Sequence, residues 1–371
     1  MKILLLGPAY PLRGGVAHFN GLLYQYLSRH HNVEIISYKR QYPKIFFPGT
    51  TQEETGGIPV PALSIIDSIN PLNWLRVGMT MRSKNADVII VAYWMSFFAP
   101  CLSVICSIIR WKKNTAIICL AHNIIPHERK IWDNILSRLF FSVVDSFVVL
   151  SESVERDLLS LIKKPTYVRS FHPVYESFGT GIPKEEAKKH LSINEERVIL
   201  FFGYIRRYKG LHILIDALKI VRQSLPVQLL VVGEFYEDEQ RFRKQIAENE
   251  LESSVNIYPE YVSNEQVKYF FSASDVVIIP YLSATQSGIV QIAYNFNKPV
   301  IATNVGGLAE TVIHEKSGLI VPADDAEQLA GAIKKFYTEH LEAQLTEGTL
   351  HQKKNFSWDA IVRDIEKLIN K

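Results

Sequence analysis

The stretch from Asp275 to Pro322, DVVIIPYLSATQSGIVQIAYNFNKPVIATNVGGLAETVIHEKSGLIVP, restricts the fold more than any other part of the chain. A β-branched run at 276–279 ends in the turn-like YLSATQSG. A helical segment follows, then a second strand-like run at 299–303 and a Gly-Gly loop. Strand, loop, helix, strand, loop is the unit that turns backbone N–H groups at a helix N-terminus toward a ligand. Such an end favours bound anions, and a diphosphate is the natural candidate.

The rest of the chain repeats this alternation. In the N-terminal half, strands are expected at 2–6, 33–38, 88–93, 116–121 and 146–150, with helical stretches between them. Residues 18–28 carry Leu22, Leu23, Tyr26 and Leu27 at helical spacing. Residues 40–75 are rich in Pro and Gly and read as surface loop. A second series begins at Val198, with strands in VILFFGY, VQLLVVGE and VNIY and helices at 210–223, 237–250 and 264–272. The strands are continuous apolar runs, as in parallel sheets buried on both faces. At 371 residues the chain exceeds one simple core. The expected class is α/β, with two Rossmann-like domains facing across a cleft, at 1–175 and 190–354, joined by a Pro/Gly-containing linker at 176–189.

Net charge is only +3, which argues against a nucleic-acid partner, but it is unevenly spread. Residues 1–175 hold 19 Lys/Arg against 11 Asp/Glu, and the remainder 22 against 27. A basic half beside an acidic half points to anionic material on one side, a phosphorylated substrate or a membrane surface. Cys101, Cys106 and Cys119 all sit in apolar context and read as buried thiols in a reducing compartment, the cytoplasm. No Cys/His spacing suits a metal. MKILLLGPAYP has an apolar run too short for a signal-peptide core and reads as a first strand. Residues 88–109 pass without a charge, a length that could span a bilayer. Pro100 and three serines favour strand, loop and buried helix instead.

Several residues fall where ligands are bound. Gly14 and Gly15 precede the first helix, where bare backbone can approach a ligand. The Gly-x-Gly-x-x-Gly dinucleotide fingerprint is absent, so a dehydrogenase has no support. After VILFFGY, Arg206 and Lys209 lie between a strand's carboxyl end and a helix. Two cations there oppose the helix dipole unless an anion lies between them, and they could hold both phosphates of a leaving group. His122 follows the strand AIICLA, placed to hydrogen-bond a substrate hydroxyl. His127 and Glu128 lie on the same loop, and His172 at the domain junction.

At these residues the chain resembles the family 4 retaining glycosyltransferases of the GT-B fold, over nearly its whole length. FFGYIRRYKG matches that family's strand-Gly…Lys-Gly turn. PEYVSNEQVKYFFSASDVVIIPY and NKPVIATNVGGLAETVIHEKSGLIVP match two longer stretches. PLRGGVAHFNGLL and AHNIIPHE are similar as well. The resemblance implies catalytic roles for His122 on the transferred sugar and for Arg206 and Lys209 on the diphosphate. It implies donor binding by Gly15, Gly203, Gly233, Glu234, Tyr261, Val262, Ser287, Gly288 and Ile289. Gly14, His18 and His127 would lie on the acceptor side, and a final helix near 355–371 would complete the N-terminal domain.

Two departures stand out. Gly203 is followed by Tyr204 where the family has Arg, and Arg206 could supply that guanidinium. The family's paired glutamates are missing from ATQSGIVQIAY, where Gln286 and Gln291 are the nearest polar substitutes. An amide accepts hydrogen bonds from hydroxyls but cannot stabilise developing positive charge as a carboxylate can. The expected activity is metal-independent, cofactor-free transfer of a sugar from a nucleotide-sugar to a hydroxyl of a glycan or lipid-linked acceptor, with peripheral membrane contact on the inner face. A nucleotide-sugar epimerase or phosphorylase on the same fold, or a non-catalytic subunit of a glycan-assembly complex, stays open beside it.

Overall fold

The computed structural model describes residues 1–43, 51–54, 57–111, 114–125 and 131–369. The chain forms two units, Met1–Pro173 with Ser357–Lys371, and Val174–Phe356.

The first unit runs β1 (Lys2–Leu6), α1 (Gly15–Leu27), β2 (Asn32–Arg40), β3 (Ala62–Asp67), α2 (Pro71–Ser83), β4 (Val88–Tyr93), α3 (Ala99–Arg110), β5 (Ala116–Ala121), α4 (Asp133–Phe141), β6 (Ser146–Val149), α5 (Glu152–Leu161) and β7 (Tyr167–Arg169). Its seven strands are parallel in the order β3-β2-β1-β4-β5-β6-β7. The charge-free stretch 88–109 divides as expected into β4, a short 3-10 turn at Ser96–Phe98 and α3, with Pro100 in the helix's first turn. Among the described residues no helix is long and apolar enough to cross a membrane. The three cysteines are buried and free, and burial pushes the Cys106 thiol up to about 12.

One expectation for this unit fails. Residues 40–75 hold β3 and the start of α2 rather than loop alone. Helix α2 begins where it does because Asn70 accepts from the Leu72 and Asn73 amides at 3.1 and 3.2 Å, with Pro71 at the first helical position.

The second unit runs α6 (Lys184–His190), β8 (Val198–Phe202), α7 (Leu211–Arg222), β9 (Gln228–Val232), α8 (Glu239–Glu248), β10 (Val255–Tyr258), α9 (Asn264–Ala273), β11 (Val276–Ile279), α10 (Gly288–Asn295), β12 (Val300–Thr303), α11 (Leu308–Thr311), β13 (Gly318–Val321), α12 (Ala326–Thr338) and α13 (Glu342–Lys353). Its six parallel strands follow the order β10-β9-β8-β11-β12-β13. The order reverses between β8 and β11, and the crevice above such a switch point is where doubly wound sheets bind ligands. Residues 176–189, expected as linker, belong to this unit and contain a 3-10 turn and α6. The local reason is a Lys-Glu-Glu-Ala-Lys-Lys run, made of good helix formers, behind Pro183.

Buried Asp275, just before β11, ties the amino ends of the second sheet together. Its carboxylate accepts from the Val198 amide at 2.8 Å and the Tyr337 hydroxyl at 3.0 Å, and pairs with Lys184. The last helix, α14 (Trp358–Ile369), belongs to the first unit. Its Trp358 stacks on Tyr26 and meets Phe19 edge-on, both from α1, while Glu366 holds His31 at 3.0 Å.

Candidate active site

The carboxyl end of β8 sets the geometry in the second unit. Gly203 leaves the strand with φ 99°, a left-handed-side conformation that L side chains rarely adopt. A β-carbon there would also lie 3.0 Å from the Lys209 ammonium and 3.2 Å from Ile289 Cδ1. Arg206 then opens a short 3-10 turn, Arg207–Lys209, which closes on Gly210 at φ 71°. Any side chain at Gly210 would collide with the Pro280 carbonyl, so the turn and the loop after β11 sit back to back. The Leu282 amide joins them by donating to the Tyr208 carbonyl at 2.7 Å.

This packing drives the Lys209 side chain under the loop. The residue is buried, its Nζ lies 5.5 Å from the centre of the Tyr281 ring, and it lies against Gly203. Burial, then the charge of neighbouring Arg206, lowers its pKa to about 7. Arg206 lies over the Tyr236 ring at 4.9 Å. Among the described residues neither cation has a carboxylate within ion-pair distance. A desolvated ammonium beside a second cation is unfavourable unless an anion joins them.

Helix α10 supplies the next feature. Ser287 is its N-cap, with Oγ accepting from the Ile289 amide at 3.2 Å, and Gly288 begins the helix. The loop after β12 braces this turn from outside, where the Gly307 amide donates to Thr285 at 3.1 Å and Thr303 Oγ1 to the Tyr281 carbonyl at 2.6 Å. Gly233 backs onto the Gly203 carbonyl, and the Glu234 carbonyl accepts from the Ile205 amide at 2.9 Å. The ends of β8, β9 and β11 thus gather Gly203, Arg206, Lys209, Gly233, Glu234, Ser287, Gly288 and Ile289.

Tyr261 and Val262 lie farther along, lining a groove of about 380 Å³ with Tyr258, Gln266 and Tyr269. Tyr261 stacks loosely on Tyr204, ring centres 6.3 Å apart, and Tyr204 packs on Tyr236 at 4.8 Å. Gln286 is half-buried on the loop, whereas Gln291 is buried within α10, its Oε1 without a hydrogen-bond partner among the described residues. Tyr204, Tyr236 and Tyr281 escaped the sequence reading. Tyr204 had a signal, as the residue standing where Arg was expected, but nothing local connects Tyr281 to Lys209.

In the first unit, Gly14 and Gly15 open α1 and His18 lies on its first turn. His18 is buried, with Nε2 at 3.1 Å from Glu54 Oε1, a partner the sequence reading missed. His122, directly after β5, donates its backbone N–H to the Tyr93 carbonyl at 2.8 Å. Its ring meets Phe19 of α1 edge-on at 4.7 Å and lies 6.4 Å from the His172 ring. Burial, then His172, lowers its pKa to about 3, and burial lowers that of His172 to about 4, so both rings are neutral near pH 7. A neutral imidazole can hydrogen-bond a hydroxyl but adds no positive charge. His127 lies outside the described residues.

Comparisons with known proteins follow the same division. The family described as Glycosyltransferase Family 4 matches residues 13–172, and that described as Glycosyl transferases group 1 matches residues 183–352. A D-inositol 3-phosphate glycosyltransferase of Pseudarthrobacter chlorophenolicus is 32% identical over 38% of this chain and 34% of its own length. The capsular polysaccharide biosynthesis glycosyltransferase CapM of Staphylococcus aureus is 27% identical over 53% of this chain and 52% of its own. The matches thus span about a third to a half of these curated relatives. The structure of Anabaena Alr3699/HepE in complex with UDP-glucose superposes with a TM-score of 0.78, covering 100% of this chain and 99% of the other at 18% identity, which shows a shared GT-B fold. With both units matched, and with parallel sheets of this topology in each, the chain belongs to the family 4 glycosyltransferases.

Proposed function

We propose that the chain moves a sugar from a nucleoside diphosphate donor to a hydroxyl of a glycan or lipid-linked glycan, with retained anomeric configuration and without a metal. The observation that carries this reading is the pair Arg206 and Lys209, two cations without carboxylate partners among the described residues, beside the α10 N-terminus. A diphosphate would supply the missing anion, with the amides of the first α10 turn adding hydrogen bonds. The UDP-glucose held by the Anabaena protein and the capsular role of CapM support the donor and acceptor classes.

In this reading the bond from the anomeric carbon to the phosphate oxygen breaks, and the acceptor oxygen bonds to that carbon from the same face. The acceptor proton passes to the departing phosphate oxygen. Arg206 and Lys209 neutralise the charge growing on the leaving group. Gln286 and Gln291, in place of carboxylates, would accept hydrogen bonds from sugar hydroxyls, and neutral His122 would contact the transferred sugar. The basic N-terminal half supports an acceptor presented at the cytoplasmic face of a membrane.

Replacing Lys209 with Ala should lower turnover of a UDP-sugar by about 100-fold or more, in the range of lost oxyanion donors, while the unfolding midpoint holds. Turnover near wild type would take Lys209 out of the mechanism. The absence of any carboxylate from ATQSGIVQIAY favours one second reading, a non-catalytic subunit. Titration calorimetry separates the two, because a scaffold should bind no nucleoside diphosphate.

A further inference from the structure

We propose that Tyr236 is a positioning residue, whose ring face holds the Arg206 guanidinium in the diphosphate site. The arrangement begins past the ends of two strands. β8 and β9 stop at Phe202 and Val232, yet their pairing continues into the loops beyond. The Ile205 amide donates to the Glu234 carbonyl at 2.9 Å, and the Tyr236 amide donates to the Ile205 carbonyl at 3.0 Å. Ile205 thus lies opposite Phe235, and both pack on the core of the second unit. Side chains alternate along extended backbone. Tyr204 and Arg206 on one loop and Tyr236 on the other therefore share the face turned away from that core.

On this face Tyr236 meets both of the others. Its ring centre lies 4.8 Å from that of Tyr204, with the planes 31° apart, and 4.9 Å from Arg206 Cζ. Tyr204 braces the ring in turn, and Tyr261 lies beyond Tyr204 at 6.3 Å. Glu237, next along the chain, accepts from the Arg207 amide and fastens the two loops a third time. All three side chains of the Tyr204, Arg206 and Tyr236 cluster are half-buried, so the ring is fixed while the guanidinium keeps access to a ligand.

A guanidinium in this place needs a holder. The Arg206 charge reaches Lys209 and helps to lower its basicity, so the two cations repel one another. A long arginine side chain has many rotamers through which to escape that repulsion. A carboxylate would hold it, but would also cancel the charge that a phosphate needs. An aromatic face attracts the cation through the ring quadrupole and leaves its charge intact. Tyr236 is in this way suited to keep Arg206 beside Lys209 before any anion arrives.

The inference rests on the donor reading of the proposed function, and titration calorimetry with UDP tests the two separately. Tyr236→Phe keeps the ring face and should bind UDP within about twofold of wild type. Tyr236→Leu and Tyr236→Met lose the face and should each bind about three- to tenfold more weakly. In an Arg206→Met background there is no cation to hold, so Tyr236→Leu should change the affinity by less than about twofold. A ring that merely supports the loop, or that stacks on the uracil itself, would weaken binding equally in both backgrounds, and that result would overturn the proposal. Tyr236→Phe as weak as Tyr236→Leu would assign the effect to the hydroxyl and also overturn it. Tyr236→Leu binding as tightly as wild type would remove the positioning role and leave the donor reading standing. A wild type that binds no UDP would sink the donor reading, and this inference with it.

Discussion

At the scale of single residues, Lys209 links sequence to chemistry most directly. Its position was legible because the Lys-Gly pair closes a turn after a strand. The lowered pKa was not, because the residues that bury Lys209 include Tyr281, more than seventy positions away. The sign of its pH dependence follows from the direction of the shift. The folded pKa is about 7 against 10.5 for a free lysine, so folding sheds a proton between those values and stability should rise with pH across that window. A bound diphosphate favours the charged form and restores the proton. At about pH 8, UDP binding should therefore take up close to one proton, and affinity should weaken as pH climbs above about 7. Calorimetry in two buffers of different ionisation enthalpy measures this, with Lys209→Met as the variant expected to show no uptake. A binding heat independent of buffer would contradict the assignment. His18 teaches the opposite lesson, since its place on α1 was readable while Glu54, 36 positions on, was not.

At the scale of elements, strands buried on both faces were readable as apolar runs, and edge strands were not. β3 has exposed Leu63 and Ser64 in its middle, and β7 has only three residues, so neither presents a continuous apolar run. The cap Asn70-Pro71 did announce α2 but lay inside a stretch dominated by Pro and Gly. The break between α12 and α13 carries no sequence mark, because it rests on His340, at φ 53° with no glycine to flag it. Asp275 shows how a single side chain unites elements. It anchors β8, α6 and α12 at the strand ends opposite the Gly203 turn. Asp275→Ala leaves the buried Val198 amide and the Tyr337 hydroxyl without their acceptor, removes the half-buried pair with Lys184, and should cost about 1–3 kcal/mol. A urea titration should show the lowered midpoint, while UDP binding by the remaining folded protein keeps its affinity. An unchanged midpoint would mean the three bonds are offset elsewhere.

At the scale of the whole molecule, the alternation of strands and helices made two units readable, and the family resemblance supplied the return of the last helix. Strand order within each sheet was beyond the sequence, because crossing from β3 to β4 or from β10 to β11 leaves no local mark. The dependence of the first unit on α14 is testable. Removing residues 357–371 uncovers Phe19 and Tyr26, and loss of a buried Trp alone costs about 3–5 kcal/mol. Scanning calorimetry of the shortened chain should lose or strongly lower the transition of the first unit. A fragment of residues 174–356 should still unfold cooperatively and bind UDP. Equal melting with and without α14 would show that the Trp358 contacts add little.

The place of α14 in the chain also orders events on the ribosome. The seven strands of the first unit precede the second unit in the chain, yet the helix that seals Phe19 and Tyr26 follows it. At typical elongation speeds roughly 200 further residues, about 10–40 s of synthesis, separate Pro173 from the end of α14. The six-stranded unit can mature during that interval, while the older one waits with an open seam. Nascent chains should therefore reach their finished state in the reverse of the order in which they emerge, and the waiting half is the one a chaperone would meet.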